Sequence, residues 1–287
     1  MPTIKSILFP VDFSPSCVAM APFVKRAASI FSARTTLLYV LPPLTSSFEL
    51  LVRPLPDVEE NREYIAREKL NAFLESEFLI DSTPRILLAG DAADQIAGFA
   101  RQHHFDLIIM PTHAGGFRRT LLGSTTAKVL DSADCPVLTT QHAETISPKP
   151  LGHRELVCAV GLRADSERVI RYVAQAAEPL YYRVTLVHVI PIGEPGLPVQ
   201  LDLDERMQHG ETQAARQRLE QLKSVVGSHA YLSIAVGPVK DSLTQVARSL
   251  QADALVVGRN PQTGASGRLR DLAYALVRDA PCPVLSV

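Results

Sequence analysis

The chain has 287 residues, of which 46% are hydrophobic and 21% charged, and its formal net charge is -1. That length suits two domains of roughly 140 residues, each large enough to own a core. The balanced charge lacks the basic excess that neutralises phosphates or grips anionic lipid, so neither nucleic acid nor a membrane is expected as a partner.

Met1 to Ser6 lead straight into a strand without the apolar core of a signal peptide. No uninterrupted run of ~18 apolar residues occurs, and the cytoplasm is the expected location. Ile7-Leu-Phe-Pro-Val is a short apolar run ending at Asp12-Phe-Ser-Pro-Ser, which offers Asp12, Ser14 and Ser16 as caps for a helix through residue 31. Thr35 to Val40 reads as a buried parallel strand opening into Leu41-Pro42-Pro43. From Asp57 to Glu77, Ile65, Leu70, Phe73 and Leu74 recur at helical spacing. The carboxylates of Asp57, Glu59, Glu60 and Glu63 alternate with Arg62, Arg67 and Lys69, as i,i+4 pairs on a solvated face would. Arg85 to Ala89 is a third strand, Gly90-Asp91 a turn, Ala93 to His103 a helix and Leu107 to Met110 a fourth strand. A helix from Ser124 to Ser132 and a strand from Val137 to Thr140 complete the unit, and the Pro-containing stretch from His142 to His153 is the boundary.

The order then repeats. Strands are predicted at 156–160, 184–189, 231–235, 254–257 and 283–287, and helices at 166–177, 204–224, 241–250 and 271–279. The residues repeat as well: Asp106-Leu-Ile-Ile-Met-Pro corresponds to Asp253-Ala-Leu-Val-Val-Gly, and Thr36-Leu-Leu-Tyr-Val to Thr185-Leu-Val-His-Val. Ala133-Asp-Cys-Pro-Val-Leu likewise returns as Ala280-Pro-Cys-Pro-Val-Leu. This is a tandem duplication of one α/β unit, with the strand and helix alternation of a parallel sheet covered on both faces. Cys17, Cys135, Cys158 and Cys282 form no C-x-x-C pair, and they read as small buried hydrophobes.

In an open α/β sheet, ligands sit beyond the carboxyl ends of the strands where the strand order reverses. Three segments converge there in the first half: Pro10-Val11-Asp12-Phe-Ser, Val40-Leu-Pro-Pro, and the run from Met110 to Thr126. Within that run Gly115 and Gly116 free the backbone, and Gly123-Ser124-Thr125-Thr126 opens a helix whose unpaired N–H groups suit a phosphate. An ordinary capping sequence reads the same way.

The strand ending in Pro-Val-Asp-Phe-Ser, Thr112-His113 after the fourth strand, Leu-Leu-Gly-Ser-Thr at the helix start and the final Asp-Cys-Pro-Val-Leu together resemble the universal stress proteins. The resemblance covers nearly the whole chain as two domains, 1–143 and 152–287. It implies two tandem Rossmann-like, adenine nucleotide alpha hydrolase-like α/β folds, each a five-stranded parallel sheet of order 3-2-1-4-5 with helices on both faces. It also implies pairing through the last strands, either within one chain as a pseudo-dimer or between chains as a homodimer. The function implied is a cytoplasmic stress-response module with ATP or another adenine nucleotide as ligand, and Mg2+ only as the companion of ATP. Asp12 would then lie by the ribose or adenine, Val40 would meet the adenine edge through its backbone, and Met110 would pack nearby. Gly123, Ser124 and Thr125 would take the phosphates, and His113 would lie close to them.

The family's nucleotide signature is Gly, two residues, Gly, nine residues, then Gly with Ser or Thr. Here Pro111 and Ala114 stand at the first two glycines, and eight residues separate Ala114 from Gly123. Arg118 and Arg119 read as a solvated loop or as added charge at the phosphates. In the second half Gly161 replaces Asp12, Arg270 replaces Gly123 and Asp271 replaces Ser124. An acid at a helix start repels phosphate, so a nucleotide is expected in the first half only, while Gly264 to Arg270 leaves another anion open. Neither a P-loop nor a nucleophile elbow nor a zincin motif occurs, and His103-His104 diverge on a helix rather than chelate. Catalysis is not expected beyond slow incidental ATP hydrolysis. The alternative is a structural or protein-interaction module in which both pockets stay empty.

Overall fold

A computed structural model describes residues 4–43, 56–112, 122–141, 143–163, 166–191, 201–259 and 267–287. The chain divides into two compact units, residues 4–148 and 149–287. In the first unit, β1 (Ser6–Val11), β2 (Arg34–Leu41), β3 (Arg85–Ala89), β4 (Leu107–Pro111) and β5 (Val137–Thr140) alternate with α1 (Pro15–Phe31), α2 (Pro56–Ala72), α3 (Ala92–Gln102) and α4 (Ser124–Ser132). The strands pair in parallel in the order β3-β2-β1-β4-β5.

The second unit has β6 (Glu155–Ala159), β7 (Arg183–Ile190), β8 (Tyr231–Val236), β9 (Ala254–Val257) and β10 (Val284–Ser286). Between them run α5 (Ser166–Ala177), α6 (Leu201–Val226), α7 (Val239–Ser249) and α8 (Gly267–Asp279), and the parallel order is β8-β7-β6-β9-β10.

Right-handed crossovers decide the faces. The first two helices of a unit step outward from the central strand on one side of the sheet, and the last two step back across the other side. Accordingly α3 packs on α4, α5 on α6, and α7 on α8. With helices on both faces the strands are buried without alternation, and all five residues of β4 are inaccessible. Ile7, Leu8, Phe9, Ile108 and Ile109 are fully buried at the centre of the first unit, each contributing about 1.5–3 kcal/mol by leaving water.

The duplication extends to backbone conformation. Left-handed residues recur at matching places: Phe13 and Leu162 after the first strand, Ser32 and Tyr181 after the first helix, His104 and Gln251 after the third helix. Gly90 (φ 135°) and Gly237 (φ 144°) form another such pair, and their N–H groups donate to Leu41 and Ile190. A Cβ on Gly90 would stand 3.0 Å from Gln95 Nε2, and one on Gly237 would stand 3.1 Å from Ser242 Oγ. Gly90→Ala is therefore expected to cost about 1–2 kcal/mol, seen as a lower urea midpoint at unchanged slope.

Two helices depart from the sequence reading. α2 stops at Ala72 rather than Glu77, because Leu74 turns left-handed (φ 51°) and sends Phe78 inward against Phe9. The stop is held from the sheet: the Arg85 guanidinium donates to the carbonyls of Leu70, Phe73 and Phe78. The buried face of α2 carries Ala66 and Leu70, whereas Ile65 is 46% exposed. At the other end of the chain α8 begins at Gly267, so Asp271 lies four residues inside the helix instead of at its start.

The cysteines are free thiols, with Cys17, Cys158 and Cys282 buried and Cys135 half-buried. Burial pushes the thiols of Cys158 and Cys282 up to about 12.

Candidate functional site

In the first unit β1 lies between β2 and β4, and all three run parallel. Asp12, Val40 and Met110 to Thr112 therefore share one edge of the sheet. Pro10, Val11, Val40, Met110 and Thr112 are buried there, and Asp12 is exposed. Two bonds dock the start of α4 onto the end of β4: the Gly123 N–H donates to the Thr112 carbonyl (2.8 Å), and the Thr126 hydroxyl donates to the Pro111 carbonyl (3.0 Å). The Thr126 side chain is thus committed to bracing. Gly123 has φ -61° and ψ 141°, with no side-chain cap. The first intrahelical bond runs from Ala127 to Gly123, so the N–H groups of Ser124, Thr125 and Thr126 have no acceptor inside the helix. His113, Gly115, Gly116, Ala114, Arg118 and Arg119 lie outside the described residues.

Asp12 is held in place by its neighbours. Oδ1 accepts from the Ser14 N–H (2.9 Å) and from the Cys17 thiol (3.0 Å), while Oδ2 makes no hydrogen bond among the described residues. Burial, reinforced by the Asp12 carboxylate, pushes the Cys17 thiol well above its ordinary range, so it stays a donor. Of the three expected caps Ser14 serves α1, accepting from the Cys17 N–H, and Ser16 instead donates to Glu144. Behind Asp12 the strained Phe13 (φ 63°) packs at a tilt against Tyr39 (4.4 Å between centroids) and edge-to-face with Phe73 (5.3 Å). Burial also raises the Tyr39 phenol, which remains a neutral hydroxyl.

The second unit encloses a cleft of about 270 Å3 at the same place, where the ends of β6 and β9 diverge. Its floor is Val160, Val187 and Val257, and its walls come from α5, α7 and α8. The His188 ring lines it, with Nδ1 2.8 Å from the Val160 carbonyl. A carbonyl only accepts, so Nδ1 is the donor in this contact. Lys240 of α7 ties the cleft's two outer helices together by bonding Asp279 at the end of α8 (3.0 Å).

The Universal stress protein family pattern matches residues 3–141 and again residues 152–287. This chain belongs to the universal stress protein family. It is 32% identical over 142 residues to a universal stress protein of Methanocaldococcus jannaschii, an alignment covering 47% of this chain and 80% of that one. It is 27% identical over 141 residues to Universal stress protein A homolog 1 of Coxiella burnetii, covering 47% and 96%. A universal stress protein structure from Archaeoglobus fulgidus aligns with TM-score 0.70 over 99% of this chain and 96% of that one; at 14% identity it speaks to the fold alone.

Motif reading of this universal stress protein reaches the strand-end residues and the α4 start, and misses the lining of the second cleft. The signal was present: Val169, Val257 and Gly258 are each smaller than their partners Met20, Met110 and Pro111. Among the described residues no helix is long and apolar enough to cross a membrane.

The α7–α8 tie has a pH signature. Arg278 first, and Lys240 with it, hold the Asp279 carboxyl down at about 2. A depressed carboxylate stabilises the fold above its unfolded value and loses that contribution as pH falls toward 2. The groups are partly solvated, so Asp279→Asn should cost roughly 0.5 kcal/mol at pH 6, and the gap from wild type should close near pH 2 in urea titrations.

Proposed function

We propose that this universal stress protein is a cytoplasmic, ligand-responsive module of the stress response whose first unit binds an adenine nucleotide. The observation that carries this reading is the uncapped first turn of α4, docked through Gly123 and Thr112 at the same sheet edge as Asp12. Three consecutive N–H groups and the hydroxyls of Ser124 and Thr125 offer donors to a phosphate chain. The free Oδ2 of Asp12 offers an acceptor to ribose hydroxyls, and the Val40 backbone at the end of β2 faces the base. Mg2+ accompanies ATP as its counter-ion. Among the described residues no side chain is set to activate water, in keeping with a nucleotide that acts as a signal and with hydrolysis that is at most slow and incidental.

The test is calorimetric titration of the whole chain with ATP, ADP and AMP, after removal of any co-purified small molecule. One site per chain is expected. Absence of binding at millimolar nucleotide would sink the proposal in favour of a module that works through protein contacts with its first pocket empty. That reading draws on Pro111 and Ala114, which lack the backbone freedom of the family's glycines.

A further inference from the structure

The cleft of the second unit has exchanged polarity for room. Asp12 of the first unit corresponds to Gly161, and the hydroxyl-bearing Thr125 and Thr126 correspond to Leu272 and Ala273. Deeper in, Met20, Met110 and Pro111 correspond to Val169, Val257 and Gly258, and all six replacements line the 270 Å3 cleft. Two other lining positions grow, Ala92 to Val239 and Val129 to Leu276, and both add hydrocarbon. Alkyl groups now stand where phosphate oxygens would need donors, at a desolvation cost that burial among hydrocarbon does not offset. A single cation remains among the described lining residues: Arg163, exposed at the rim, with no hydrogen bond or ion pair from its guanidinium to any described residue. Its Cγ and Cδ lie 3.8 and 3.9 Å from where a Cβ on Gly161 would stand, so the arginine stem runs in van der Waals reach of the position that Asp12 holds in the first unit.

We propose that this cleft binds a small apolar carboxylic acid, its hydrocarbon body packed among Val169, Val257 and Leu272 and its carboxylate paired with Arg163. The volume lies just below the range usual for drug-sized ligands, which suits a body of medium-chain fatty-acid size. The inference stands apart from nucleotide binding by the first unit, so a failure of ATP to bind leaves it intact.

Octanoate is the probe, titrated into the whole chain by calorimetry and followed by ligand-observed NMR, with 1-octanol as the uncharged control. One octanoate per chain is expected, and millimolar ATP should leave its affinity unchanged. Val257→Met and Val169→Met restore the bulk of the first unit and should each weaken octanoate by at least about tenfold at an unchanged melting temperature. If either fails to fold, Leu272→Gln probes the same wall at a half-buried position without added volume. Arg163→Gln should weaken octanoate about three- to fivefold and leave octanol unaltered. No octanoate binding at millimolar concentration, unchanged affinity in the folded cleft variants, or displacement by ATP would each overturn the proposal. Equal effects of Arg163→Gln on octanoate and octanol would overturn the assigned role of the carboxylate.

Discussion

Ser124→Asp is expected to abolish measurable ATP binding while leaving the fold as stable as before or slightly more so. Ser124 is the first residue of α4 and is exposed, and its own N–H has no acceptor inside the helix. A carboxylate there answers the positive end of the helix dipole, a gain of about 0.3–1 kcal/mol for the folded chain. The same carboxylate stands a few ångströms from any phosphate docked on the first turn. At the intermediate dielectric of a surface cleft that repulsion costs about 2–3 kcal/mol, or roughly 30- to 150-fold in affinity. Ser124→Asn separates the causes, because it carries no charge and has nearly the size and shape of Asp; it should lose no more than about threefold. Raising the salt should narrow the gap between the two variants. If Ser124→Asp bound ATP as wild type does, the phosphates would lie elsewhere and the α4 start would be only a cap.

The sequence carries the strand cores and most helix starts because those depend on local pattern. Continuous apolar runs such as Leu107 to Pro111 follow from burial on both faces, and Ser14 and Asp91 are caps that bond N–H groups within three residues of themselves. What escapes sequence reading depends on distant residues. The end of α2 is set by Arg85, which is thirteen positions beyond Ala72 and reaches it only once β3 is in the sheet. The start of α8 shifts to Gly267 although α4 and α8 end at matching positions, Ser132 and Asp279. Repeat alignment fixes register and not helix length, so Asp271 lies inside α8 and not at a helix start where it would repel a phosphate. Leu272 and Ala273 stand where the first unit has the hydroxyls of Thr125 and Thr126, and that exchange does not depend on where the helix begins. The Asp12–Cys17 contact was equally hidden, since it joins a turn to a helix five residues on, across a left-handed Phe13 that the sequence does not announce.

Asp253→Ala should cause the larger loss of stability, about 2–4 kcal/mol, through a device that both units share. Asp253 is 3% exposed in its side chain, and its Oδ2 accepts from the Glu155 N–H (2.7 Å) and lies 3.0 Å from His153 Nδ1. In the first unit Asp106 does the same for β1, accepting from the N–H groups of Lys5 (2.8 Å) and Ser6 (3.0 Å) and from the Ser6 hydroxyl (2.8 Å). Each aspartate also donates its own N–H to the strand it caps, Asp106 to Ser6 and Asp253 to Glu155. The carboxylate therefore sets the register between the central strand and its neighbour, where the sheet order reverses. Truncation to Ala leaves the Glu155 N–H buried without its acceptor, and bonds to a charged acceptor contribute about 1.5–3 kcal/mol each. Asp253→Asn keeps one acceptor oxygen and should recover about half of the loss, which a pure cavity effect would predict as nearly all. Urea unfolding followed by circular dichroism reads the difference, and hydrogen exchange at the Glu155 amide should accelerate in the Ala variant first. Because the aspartate sits at the amino ends of the strands, opposite the ligand edge, any fall in ligand affinity should track the unfolded fraction alone. An Asp253→Ala protein with the wild-type urea midpoint would show that ladder hydrogen bonds and packing hold β6 and β9 in register without this carboxylate.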